Sequence, residues 1–435
     1  MQEDSERRTL QRRVGLVGAV LSGTGVIVGA GIYALIGEAA GVAGNAVWIG
    51  FLLSAVIAGL TGVSYARLGK RFPKDSPEFQ YVRGGMGFRA GFLAGWLMLW
   101  ADVVSTAAVS LGFGGYLQDL LGVPLLLGAL ALLGAMTFIT WLGIRESLAL
   151  VTVMSLLEIG GLALVIMLGV PHWGEQPLLA ASHGMSGIWT AASLIFFAYL
   201  GFDELGNLAE EMKRPERDLP LSVILSVAIS SVLYVLVAVS AVSLLGWQAL
   251  STSKAPLAHA VEDILGPTGR ASLSLIALFA TANTVLLLMV SVSRSFYGMA
   301  QSGALPKSLA RIGRRHTPWA SILLVWVFSS LFLLIGNITT VAQITNFTVL
   351  VAFALVNISL AVILVKAMRA EGPVRFWKAA GALAQPVLGA AFCLWLIVFV
   401  GWLALVLGLA FVGAGVLLGA WAQKRLAYGQ TDIRT

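Results

Sequence analysis

The feature that most constrains this chain is a close succession of apolar stretches, each about as long as a lipid bilayer is thick. The first begins near Val14 and runs for about 24 residues. The others fall at roughly 42–66, 88–118, 124–143, 148–169, 187–209, 219–246, 270–299, 318–336, 341–366, 380–400 and 402–422. A helix needs about 20 apolar residues to cross the hydrocarbon core. Of the 435 residues, 58% are hydrophobic and only 11% are charged. A soluble domain carries about 25% charged residues. That excludes a soluble enzyme, a nucleic-acid binder and a disordered chain. In lipid, backbone groups must be satisfied within the segment. The expected class is therefore an all-α membrane protein with twelve transmembrane helices. The first stretch is longer than a signal-peptide core and lacks a small-residue cleavage site, so it counts as a span.

The net charge of +7 fits this layout without nucleic acid as a partner. With the N-terminus placed inside, all but two of the 28 Lys and Arg residues fall on the inner side. Only Lys254 and Arg270 lie outside. Such a bias marks cytoplasmic loops, so both termini are expected in the cytoplasm, with the cell membrane as the location. Around 247–269 a short surface helix is expected at Leu257–Leu265, ending before Gly266-Pro267.

The motifs of several other classes are missing. The four histidines, His172, His183, His259 and His316, sit in expected loops, and no H-E-x-x-H occurs. There is no G-x-S-x-G elbow, no Walker loop and no T-V-G-Y-G filter. Neither a metal nor a cofactor is expected. The single cysteine, Cys393, lies in an apolar run and reads as a small hydrophobe.

Two spans look interrupted. The first contains Gly23, Gly25, Gly29 and Gly31, which weaken a helix by about 1 kcal/mol each relative to Ala. Small residues can serve close helix packing, but Gly29-Ala30-Gly31 also suits an unwound stretch. In the sixth span, Phe197-Ala198-Tyr199-Leu200-Gly201-Phe202-Asp203-Glu204 places a glycine and two acids in an apolar run. Acids there would be costly facing lipid. Interruptions five spans apart are the signature of an inverted repeat with a site between two discontinuous helices. One half-helix N-terminus would offer N–H groups to a carboxylate, and the other break would offer carbonyls to an ammonium. An amino acid has both groups.

Here the sequence resembles a family. Gly29-Ala30-Gly31-Ile32-Tyr33 is similar to the G-[S/T/A]-G-[I/V]-[F/Y] motif of the amino acid–polyamine–organocation (APC) superfamily. Phe197 to Asp203 resembles its F-A-[F/Y]-x-G-[F/V]-[D/E] motif. Glu210 to Pro220 resembles its E-E-x-K-[N/R]-P-x-[R/K]-x-[L/I]-P loop, and Arg294 to Pro306 resembles the end of its eighth span. The likeness covers nearly the whole chain and is nearest the cationic-amino-acid-transporter-like branch. It implies a LeuT-type fold of five plus five inverted helices with two C-terminal helices. The resulting division is a cytoplasmic N-terminus 1–13, repeats over 14–169 and 187–366, spans eleven and twelve within 380–422, and a cytoplasmic C-terminus 423–435.

The resemblance also implies roles. Main-chain N–H groups of Ala30, Gly31 and Ile32, after Gly29, would hold a substrate carboxylate. Carbonyls of Ile27, Phe197 and Leu200 would take the amine. Phe202 would shape an outer wall or gate, and Asp203 would be a gating or coupling acid. The chain departs from the pattern at Glu158, where several proton-coupled relatives have a lysine. A bare carboxylate at the midplane is costly, so Glu158 is expected to titrate, pair with a cation, or persist as a protonated structural acid. Asp102 is a further intramembrane acid that would support neighbouring helices or complement a cationic substrate. Ser76-Pro77 replaces the family's glycine pair in the loop after span two.

The expected function is a secondary active amino acid transporter working by alternating access, coupled to protons in preference to sodium. An amino acid/amine exchanger and a transporter-like sensor are the alternatives. The lipid bilayer is the only other partner expected, and nothing calls for a protein subunit.

Overall fold

The computed structural model describes residues 14–72, 77–143, 148–206, 212–301, 305–315, 317–371 and 376–431. The N-terminal residues 1–13, Ser76, His316, the Glu210-Glu211 pair and residues 302–304 lie outside them. The described chain is helical, with one isolated bridge between Val14 and Met212.

The first apolar run forms two helices, α1 (Leu16–Ile27) and α2 (Ala30–Ala43), parted at Val28-Gly29. They are followed by α3 (Val47–Arg71), α4 (Pro77–Met86), α5 (Phe88–Leu121), α6 (Leu125–Leu142) and α7 (Leu148–Gly169). Next come α8 (Gly184–Ile195), α9 (Pro215–Leu245), α10 (Trp247–Thr252) and α11 (Pro256–Gln301). The chain closes with α12 (Trp319–Leu333), α13 (Ile338–Glu371), α14 (Phe376–Ile397) and α15 (Trp402–Thr431). Ten segments are long and apolar enough to cross a membrane, and α1 and α12 are shorter apolar helices. The expected twelve spans are thus matched by ten of full length among the described residues. At ~1.5 Å per residue, the 15 residues of α12 rise only about 22 Å, while the 34 of α5 rise about 51 Å.

α5 and α13 form the spine. α5 packs against α13, α11, α6 and α4, and α13 also packs against α14 and α15. α11 bends at Gly266, where φ is 66° and Pro267 follows. This is the break expected from the Gly266-Pro267 pair. Both sides of the bend are fixed to α5: Asp119 meets His259 before it at 3.1 Å and Arg270 after it at 2.8 Å. α14 and α15 are joined tightly through Gly401, whose N–H donates to Gln343 Oε1 at 3.0 Å.

Some buried hydroxyls are satisfied along their own helices and others, such as Ser193 and Ser329, by carbonyls of neighbouring helices. Thr106, Ser110 and Thr281 donate to carbonyls one turn back, at 2.7–2.8 Å. This is the arrangement a lipid-embedded chain needs, because no water competes there. Cys393 is fully buried beside Thr61 Oγ1, at 3.7 Å.

Candidate functional site

The second interruption follows α8. Phe196–Tyr199 tightens into a 3₁₀ turn, Leu200 to Phe202 is unwound, and Asp203–Gly206 forms another 3₁₀ turn. Gly201 has φ of +114°, a conformation L side chains rarely adopt. Asp203 secures this turn, its Oδ1 accepting from the Gly201 N–H at 3.0 Å.

The two breaks touch. A Cβ on Gly31 would lie 2.6 Å from the Ala198 Cα, so only glycine permits this approach. Tyr234 of α9 bridges them. Its hydroxyl lies 2.6 Å from the Ile27 carbonyl and 2.9 Å from the Ala198 carbonyl. On the far side, Asn346 of α13 donates to the Ser193 and Leu194 carbonyls at 2.6 and 3.0 Å. It holds the end of α8 just before the chain unwinds. Three more buried tyrosines brace the same region. Tyr33 donates to the Glu158 carbonyl, Tyr116 to the Tyr33 carbonyl and Tyr199 to the Phe51 carbonyl, at 2.7–3.0 Å.

Between the breaks lies a cavity of about 300 Å³, at the lower end of small-ligand sites. Ile27, Gly29, Ala30 and Gly31 line it from the first break, and Phe197, Leu200 and Asp203 from the second. Val109, Leu287 and Leu288 give it an aliphatic wall. The N–H groups that open α2 have no partner within their own helix. Ala30 N–H makes only a long 3.3 Å contact with Thr284 Oγ1. The Phe197 carbonyl accepts from Leu200 N–H at 3.2 Å and keeps its second lone pair.

Glu158 lines the cavity and is 2% exposed. One of its carboxyl oxygens has no hydrogen-bond partner, and Asn283 reaches the carboxyl from α11. Glu204 also lines the cavity and accepts from Ser291 Oγ at 3.4 Å. Most of the residues expected from the sequence are therefore brought together.

Three are not. Phe202 is no cavity wall. The turn at Gly201 swings it the other way, where it packs on Tyr65 and Phe353 with ring centroids 5.6 and 5.3 Å apart. That cluster joins the second half of α3 to the middle of α13, on the side of the second break away from the cavity. Ile32 is fully buried in the core, and neither it nor Asp102 lines the cavity.

One residue escaped the sequence reading. Glu78, at the start of α4, is 8% exposed, and its Oε1 accepts from Tyr65 Oη at 3.0 Å. α4 lies between the spanning segments, with Pro77 against Gly206. Burial pushes the Glu78 carboxyl up to about 8, with Asp203 and Glu204 adding like charge. The only sequence signal was the Ser76-Pro77 departure one residue before it.

Interrupted helices around a ligand-sized cavity in a helical bundle of this hydropathy define a multi-pass membrane transporter. The amino acid permease family matches residues 14–427. The chain belongs to that family, within the APC superfamily, and is an amino acid transporter rather than an enzyme. It is similar to the branched-chain amino acid permease BcaP of Bacillus subtilis, with 29% identity over 95% of this chain and 93% of that protein. The methylthioribose transporter of Bacillus subtilis is 26% identical over 93% of each. Cationic amino acid transporter 4 of Mus musculus is 29% identical over 83% of this chain and 61% of that one. Among the described residues no group of three His, Cys, Asp or Glu could hold a metal ion.

Proposed function

We propose that the chain is a secondary active transporter that binds one amino acid between the two breaks and couples its entry to protons. The observation that carries this reading is the cavity itself. It combines the N–H groups opening α2, the carbonyls of the second break, and a buried acid with an unpartnered oxygen. The N–H groups of Ala30 and Gly31, which line the cavity, take the substrate carboxylate, aided by the helix dipole. The carbonyls of Ile27, Phe197 and Leu200 take the ammonium. The aliphatic wall of Val109, Leu287 and Leu288 favours an apolar side chain, in keeping with the branched-chain substrate named for one relative.

Glu158 carries the coupled proton, and Asp203 links the cavity to the inner gate. α1 and α2 together make the first of twelve crossings, the short α12 makes the ninth, and two five-helix repeats precede the last two helices. The end rich in Lys and Arg faces the cytoplasm.

The test is uptake into proteoliposomes free of internal substrate, using labelled leucine, isoleucine, valine, lysine and putrescine under inward proton or sodium gradients. Proton-stimulated uptake of the aliphatic amino acids, lost on Glu158→Gln, is the expected result. Flux only after preloading would replace symport by exchange. Full retention of proton dependence in Glu158→Gln would remove that residue from the mechanism.

A further inference from the structure

On the outside of the bundle, away from the cavity, α13 and α14 enclose an apolar groove of about 410 Å³. Ile358, Val362 and Val365 form one wall, and Pro386, Val387 and Ala390 the other. The α13 residues recur at helical spacing, so they share one face. The groove ends at two cations, Lys366 and Arg369, one turn apart.

The length of the groove is informative. From Ile358 to Arg369 a helix rises about 17 Å. One leaflet of the hydrocarbon core is about 15 Å deep. With the apolar walls inside one leaflet, the two cations therefore sit at headgroup level. Lys366 Nζ donates to the Gly85 carbonyl at 2.9 Å, at the end of α4. Arg369 is exposed and has no ion pair among the described residues. Its guanidinium presents a donor fork suited to phosphate.

We infer that this groove binds one anionic phospholipid, its acyl chain along α13 and α14 and its phosphate held by Arg369 and Lys366. An uncharged lipid would use the walls and leave the cations unmatched. A free phosphate would use the cations and leave the walls bare. The combination at this spacing fits a molecule with both parts. The site also adjoins α4, because Ser359 of α13 donates to the Tyr81 carbonyl at 2.6 Å and Lys366 reaches Gly85. A lipid bound here rests on the helix that holds α4 in place.

The test uses the full chain in detergent, titrated with phosphatidylglycerol or phosphatidylcholine of identical acyl chains and read by native mass spectrometry. The wild type is expected to retain one phosphatidylglycerol in clear preference to phosphatidylcholine. Arg369→Gln should weaken that lipid about fivefold, the worth of one basic residue near an anionic surface. Arg369→Lys should largely restore it. Arg311→Gln, an exposed arginine elsewhere, should leave it unchanged. Val362→Trp fills the wall but keeps both charges, and should also reduce retention.

Equal retention of the two lipids would overturn the site. So would equal losses in Arg369→Gln and Arg311→Gln, which would mean general surface charge. Full displacement by inorganic phosphate, with Val362→Trp behaving as wild type, would reduce it to a bare anion contact.

Discussion

Between α1 and α2 only Val28 and Gly29 separate two regular helices, whereas the second interruption loosens the chain from Phe196 to Gly206. The short break leaves a clean helix start, so its free groups are N–H donors aligned with a dipole. The long break leaves carbonyls turned in several directions and needs support from side chains. Asp203 supplies it from within, and Tyr234 and Asn346 supply it from α9 and α13. The first site can be written almost wholly in glycine, while the second depends on distant helices.

This contrast can be broken most sharply at Gly31. Gly31→Val puts atoms into the Ala198 backbone and should lower uptake at least 100-fold, because the two breaks can no longer meet. Near-normal uptake would show that they are not closely apposed. Tyr234→Phe should come next. It removes the one donor that the two breaks share, at about 1–3 kcal/mol, lowering Tm by several degrees and weakening substrate binding about tenfold in calorimetry. A loss confined to Tm would make Tyr234 a purely structural brace.

Asp203 separates support from coupling. Asn keeps an acceptor for the Gly201 N–H, whereas Ala removes it. Asp203→Ala should lose stability and uptake together. Asp203→Asn should keep most of the Tm while losing proton stimulation. Equal loss of Tm in both variants would confine this acid to a charge-dependent structural role.

The smallest effect concerns Glu78, whose carboxyl stands at about 8 instead of 4.5. The folded chain keeps this proton at pH values where the unfolded chain has released it. That contribution to stability is whole below about pH 4.5, falls as pH rises, and is gone above about 8. A Tm series from pH 5 to 9 should decline less steeply for Glu78→Gln than for the wild type. Parallel slopes would show that the carboxyl does not titrate against folding.

What could be read from the sequence follows the same division. Span lengths and the glycines at 29 and 201 are local signals, and the chain breaks at both glycines, while Ala30 and Gly31, expected to be unwound, open α2 as helix. The tyrosine donors, Asn346 and Thr284 are contacts across long sequence separations. Nothing in their own neighbourhoods distinguishes them from ordinary polar residues in apolar helices. The wall or gate role for Phe202 came from the family likeness, which does not say which way the side chain leaves the turn; the positive φ at Gly201 directs it toward Tyr65 and Phe353. Glu78 was missed because an acid in a loop between spans reads as solvated, while α4 buries it under the second break. The count of twelve rests on α1 and α2 sharing one crossing and on α12 making a short one, beside ten segments of full length among the described residues.

The Tyr234 hydroxyl has one hydrogen and two carbonyls within reach, Ile27 at 2.6 Å and Ala198 at 2.9 Å. It can serve only one of them fully at any instant. Tyr234 therefore leaves one of the two carbonyls open to another donor at any instant. On the proposed reading an ammonium arrives with three donors and ends that competition, so the shared hydroxyl already contains a selection rule. Ligands with several donors at the amine end relieve the shortage, and a tertiary amine with one does so less completely.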